Sequence, residues 1–184
     1  MTQLPLEESP ADLWSGPAGD PLASITAYGI PAPQGAISHN SAGRGYYTNE
    51  KTLRPWRNAV RDAAMATLGT HQHKPPTKER RGRSGPCTEC GIPRRDHGLY
   101  GGALTVLMVV TVEPLLSPRA LPTTRSSGDW DHHGRAVGDA LTQASVWRDD
   151  AQVVDGRVRK VYPGHPAALA RPGAVIHVWQ AIWA

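Results

Sequence analysis

Two stretches carry the clearest patterns of apolar and polar positions. Residues 103–112, ALTVLMVVTV, are apolar almost without interruption, rich in β-branched side chains and bounded by Gly and Pro, which predicts a central strand covered on both faces. From Thr52 to Leu68 apolar residues recur at helical spacing. Leu53, Trp56, Val60, Ala63, Ala64 and Thr67 trace one face, Pro55 is tolerated in the first turn, and Gly69 ends the helix. A second helix is predicted from about Asp131 to Ser145, burying Val137, Leu141 and Ala144, with Ala136 and Ala140 allowing close packing. Alternation predicts strands in ASITAYGI (23–30, stopped by Pro31 and Pro33), AQVVDGRVRKVY (151–162) and AVIHVWQAIW (174–183). The order strand, helix, strand, helix, strand, strand is that of a mixed α/β (α+β) domain.

Two segments lack any such period. Residues 1–22 are rich in Pro, Gly, Ser and acids and read as a flexible leader ahead of one domain, 23–184. Residues 70–102 are basic and rich in Pro and Gly, and read as an insertion between core elements. The chain's two cysteines lie there as Cys87-x-x-Cys90, with His97 following; His71 or His73 can complete a tetrahedral set, so the segment is either a structural Zn²⁺ knuckle or a basic loop with two free thiols. The loop 31–47, containing Arg44 and the strand-like Tyr46 and Tyr47, either follows a phosphate backbone or forms a surface hairpin.

Charge narrows the function. The formal net charge is +4 and the sequence pI about 9.3, yet acids crowd residues 129–150, where Asp129, Asp131, Asp149 and Asp150 stand in two close pairs. A basic body around an acidic patch suits a polyanion held by Lys and Arg over a carboxylate-bound metal. Lys51, Arg54, Arg57 and Arg61 lie on or near the polar side of the first helix, as a DNA-facing row or a solvated face. Asp129, Asp131 and Asp150 offer hard oxygen ligands from two neighbouring elements, a set suited to Mg²⁺ and phosphodiester hydrolysis. The same acids alone also fit a helix cap with salt bridges. No basic, apolar leader of the secretory kind opens the sequence, and no stretch reaches the roughly 18 apolar residues of a membrane span, so a cytoplasmic protein with no membrane partner is expected.

The longest ordered motif runs from Asp129-Trp130-Asp131 through Asp139-Ala140-Leu141 to Trp147-Arg148-Asp149-Asp150-Ala151-Gln152-Val153-Val154, followed by Arg159 and Lys160. This stretch resembles the RusA family of Holliday junction resolvases. The likeness covers residues 103–182 and, more weakly, 23–68, where Gly29-Ile30-Pro31-Ala32-Pro33, Lys51 and Trp56 match; it leaves out the leader and the Cys-containing insertion. It implies a small mixed sheet packed by two helices, a homodimer, and branched DNA, a four-way junction, as partner in a bacterial or phage-infected cell. It implies Mg²⁺, replaceable by Mn²⁺, on Asp129, Asp131 and Asp150, with Asp139 and Asp149 supporting packing and strand geometry. Arg44, Lys51, Arg54, Arg57, Arg159 and Lys160 are the candidate DNA contacts.

The chain departs from the family pattern at three places. Arg135 replaces a catalytic Lys; a guanidinium grips phosphate but does not give up a proton near neutral pH. His132 replaces an Asn, and either contacts the metal or a phosphate or, with His133, occupies a solvated helix start. Gln34 and Ala36 stand where basic residues are common. The alternative reading is therefore a catalytically impaired protein that binds junctions or branched DNA. A third reading is a regulator that reads DNA through the Cys87/Cys90 loop.

Overall fold

The computed structural model describes residues 17, 19–39, 41–75, 85–114 and 121–182. Most of the expected leader, residues 76–84 of the insertion and Trp183 lie outside the described residues. Among the described residues, six strands and two α-helices follow one another: β1 (Ala23–Tyr28), β2 (Ile37–His39), β3 (Gly45–Tyr47), α1 (Glu50–Leu68), β4 (Leu104–Thr111), α2 (Trp130–Gln143), β5 (Val153–Val161) and β6 (Gly173–Gln180). The expected mixed α+β architecture of two helices on a small mixed sheet is what forms. The loop 31–47 is a hairpin in which β2 and β3 pair antiparallel, apart from the main sheet.

The main sheet runs β1-β6-β4-β5. β4 is buried at all eight positions because it has a neighbour on each side, β6 antiparallel and β5 parallel, and cover on both faces. Leu104, Val106, Met108 and Val110 point into the main core beneath the helices, whereas Val109 packs on the other face with Val161 and Ala167. The parallel β4–β5 pairing forces a crossover, which α2 supplies. β1 alternates strictly, burying Ala23, Ile25 and Ala27, and stops at Tyr28, two residues before the sequence-based limit. Gly29 there has φ 153° and lies against Trp56 of α1.

In α1, Leu53, Trp56, Val60 and Ala64 are the buried stripe. Thr67 faces solvent instead, and the last turn packs through Leu68. Residue Asn49 does not cap α1: its side chain donates to Pro33 O at 2.7 Å and accepts from Gly35 N at 3.0 Å, tying the hairpin to the helix start. α2 buries Ala136, Val137, Ala140 and Leu141 as expected, but it ends at Gln143, and Ser145 turns to φ 58°.

His133 does not occupy a solvated helix start. It is almost wholly buried, and its Nε2 bonds Ser127 O at 2.8 Å. The cause is its position four residues before Val137, on the apolar face, with the 3-10 turn Arg125–Ser127 folded over it. No helix among the described residues is long and apolar enough to cross a membrane.

Candidate functional site

Asp131, in the first turn of α2, and Asp150, at the start of the 3-10 turn Asp150–Gln152, line one open pocket of about 250 Å³. Arg135 and Arg157 line it as well, over a floor that includes Met108 and Trp147. Glycines let the walls approach. A Cβ on Gly134 would stand 3.1 Å from Val158 of β5, and one on Gly138 would stand 3.9 Å from Asp150 Oδ2. The acidic turn therefore lies directly over α2.

Asp131 Oδ2 is 3.3 Å from Arg135 Nη2 and 3.8 Å from His132 Nε2. Asp129, just before the helix, is largely exposed, contributes no side-chain cap and lies outside the pocket lining; its Oδ2 is 3.7 Å from His132 Nδ1. Of the three candidate Mg²⁺ ligands, two thus share the pocket, and an imidazole stands between the third and Asp131. Asp149 caps the turn, accepting Ala151 N at 3.0 Å. Asp139 meets Arg57 of α1 at 3.1 Å. Burial pushes the Asp139 carboxyl up from its ordinary value, Arg57 works against that, and Asp150 adds to it. Arg57 was a candidate DNA contact; here it lies between α1 and α2, with its guanidinium 6.0 Å from the Tyr47 ring centre.

The other candidate DNA contacts divide. Lys160 is half-buried and donates to Ser127 Oγ at 3.2 Å and to Gly128 O, so it braces the turn ahead of Asp129. Arg159, its neighbour in β5, is half-buried; Lys51 and Arg54 are exposed on α1, and Arg44 is exposed in the β2–β3 connection.

A second site forms in the insertion. Among the described residues, one group of three or more ligand-type side chains has its donor atoms all within 4.8 Å of one another: His71, Cys87, Cys90 and His97. His71 Nε2 lies 3.5 Å from Cys87 Sγ and 3.2 Å from His97 Nε2. His73 instead bonds Gly85 O at 3.1 Å, which settles which of the two histidines joins the set. The knuckle is built by its backbone: Cys87 N–H donates to Ile92 O, Gly91 N–H donates to Cys87 O, and Gly91 takes φ 75°, a conformation that suits glycine. Burial pushes the Cys87 thiol up, but backbone hydrogen bonds at Lys74, Glu89 and Cys90 and the His71 side chain outweigh it, lowering the thiol to about 5. That shift favours the thiolate, the form in which cysteine binds metal. Two sulfur and two imidazole donors at this separation can hold a metal ion.

Sequence reasoning missed several participants. Arg157 in the pocket, the Arg57–Asp139 pair and the Ser145 hydroxyl on His97 Nδ1 at 2.7 Å all depend on which elements meet in space. The one local signal was the spacing of His133 from Val137. No protein-family model matches the chain, and no curated protein matches it.

Proposed function

We propose that the protein is a Mg²⁺-dependent, structure-specific endonuclease that acts as a homodimer on four-way DNA junctions in the cytoplasm of a bacterial or phage-infected cell. The observation that carries this reading is the meeting of Asp131 and Asp150, from two elements, in one pocket with Arg135 and Arg157. Carboxylates beside guanidiniums suit a scissile phosphate: the acids hold the metal and the arginines hold the phosphate oxygens. Mg²⁺, or Mn²⁺ in its place, would supply an activated water and charge stabilisation on Asp131 and Asp150, with Asp129 joining from the rim. Arg135 grips phosphate rather than moving a proton, because its guanidinium stays charged. Two symmetric pockets in a dimer match the twofold symmetry of a junction and its paired nicks.

Structural Zn²⁺ is the proposed occupant of the His71/Cys87/Cys90/His97 set, since two sulfur and two imidazole donors gathered within 4.8 Å of one another favour it over hard cations. The second reading, a junction-binding protein with impaired catalysis, is favoured by Asp131 being engaged with Arg135 and by His132 between Asp129 and Asp131.

The decisive measurement is cleavage of a synthetic four-way junction with and without Mg²⁺. Wild type should nick opposed strands. Asp131→Asn and Asp150→Asn should lose cleavage by at least about 100-fold, given the charge stabilisation a catalytic metal supplies, while still shifting the junction in a gel. Equal cleavage by all three proteins removes these acids from the chemistry, and binding without cleavage in wild type across Mg²⁺ and Mn²⁺ selects the second reading.

A further inference from the structure

The Cys/His cluster and the acidic pocket are joined by one continuous strip of contacts. His97, the last ligand-type residue of the cluster, turns Nε2 toward His71 and Nδ1 onto Ser145 Oγ at 2.7 Å. The next residues continue the strip: Leu99 N–H donates to Ser145 O and Tyr100 N–H to Val146 O, each at 2.9 Å. Just ahead of them, Gly98 lies so close that a Cβ would stand 2.7 Å from Trp147 C and 2.6 Å from Arg148 N, so only glycine fits. Farther along, Gln152 Nε2 donates to Gly102 O at 2.9 Å and to Tyr100 O at 3.2 Å, while its Oε1 accepts Arg148 N–H at 3.0 Å. Residues 97–102 thus lie as a splint along 145–152, and Asp150 stands near the far end of that stretch.

Ser145 is the one described non-glycine residue with positive φ, 58°. Glycine would adopt that backbone without strain. A serine there places its hydroxyl on the ring of a ligand histidine, the kind of partner that fixes which imidazole nitrogen faces a metal.

We infer that metal bound by His71, Cys87, Cys90 and His97 positions the acidic pocket: occupancy fixes the His97 ring, and Ser145 with the 97–102 splint carries that constraint to the turn holding Asp150. Ser145 is the positioning residue. The inference rests on the reading of Asp150 as part of the active pocket.

The test uses the full chain loaded with Zn²⁺ or with Co²⁺ as a spectroscopic probe. It compares wild type with Ser145→Gly, which removes the hydroxyl and suits the backbone. Ser145→Gly should weaken metal affinity by about 10- to 100-fold, the usual effect of losing an outer partner of a ligand histidine, and should shift the Co²⁺ ligand-field band. In wild type, removing the metal should speed amide hydrogen exchange across 145–152 by at least about tenfold while the β1–β6 amides keep their protection. Ser145→Gly at saturating Co²⁺ should show faster exchange in 148–152 than wild type, a comparison that holds even where the metal-free chain unfolds. A chain that retains no Zn²⁺ or Co²⁺, or a Ser145→Gly protein with wild-type affinity, spectrum and exchange, overturns the inference. No readout uses DNA: an inactive nuclease with a metal-coupled turn defeats only the proposed function, and an active nuclease with an uncoupled turn defeats only this coupling.

Discussion

His133 shows how one residue can be both legible and misread. Two adjacent histidines at a helix start look like solvated polar groups, yet spacing alone puts His133 on the face of Val137 and His132 off it. The same limit applies to His71 and His73: either fits a metal set by distance along the chain, and only the fold of the knuckle selects His71. The burial of His133 has a measurable consequence. Desolvation holds the imidazole below its ordinary 6.5, Ser127 O opposes this, and the Lys160 ammonium adds to it. Nδ1 has no hydrogen-bond partner among the described residues, so the native ring is neutral and a second proton would be an unpaired buried charge. Because the native pKa is depressed, the unfolded chain takes up the proton first as pH falls. The stability this residue confers is present above pH 6.5 and is lost as pH drops through its lowered native value. Denaturant midpoints measured from pH 7.5 to 5 should therefore fall for wild type and fall less for His133→Asn. A residual slope belongs to Cys87, whose thiol is lowered to about 5, and to His177, which burial also holds low. Parallel profiles for the two proteins would contradict the neutral buried ring.

Among the elements, β4, the buried stripe of α1 and the alternation of β1 could be read from the sequence, because each pattern is local and set by burial of one face. What could not be read was where polar side chains from separate elements meet. Arg57 lies off the apolar stripe of α1 and so looks like a surface cation, but α2 presents Asp139 to it. That pair bridges the helices with both side chains mostly covered, which places it between an exposed ion pair and a buried one. Arg57→Ala should cost about 1–2 kcal/mol because it leaves the half-buried Asp139 carboxylate unpaired. Asp139→Asn should cost less, since burial and Asp150 already disfavour its charge. The double variant should lie near Asp139→Asn alone, giving a coupling of about 1–2 kcal/mol in a double-mutant cycle. Additive effects would mean that the helices are not joined through this pair. α2 itself was read two residues too long, because its end is set by the Ser145 turn and its contacts with residues 97–100 rather than by any local stop signal.

For the molecule as a whole, the division among its cations predicts how the proposed DNA binding should depend on salt. The net charge of +4 says only that a polyanion is tolerated; which cations touch phosphate depends on which ones the fold employs. Lys160 is committed to Ser127 and Gly128, and Arg57 to Asp139, whereas Lys51 and Arg54 are exposed side by side along the first turns of α1. A lysine or arginine that neutralises a phosphate releases a counterion, so each contributes about 0.9 to the slope of log K against log salt on duplex DNA. In an Asp150→Asn background, where binding can be followed without cleavage, Lys51→Ala and Arg54→Ala should each reduce that slope by about 1 and weaken binding alike on any sequence. Lys160→Ala should leave the slope unchanged and lower the denaturation midpoint instead, because the turn before Asp129 loses its brace. The reverse pattern, with the slope falling for Lys160→Ala and unmoved for Lys51→Ala and Arg54→Ala, would place the DNA along β5 rather than across α1. The junction would then approach the acidic pocket from the edge of the sheet, since β5 is the strand whose Arg157 lines that pocket.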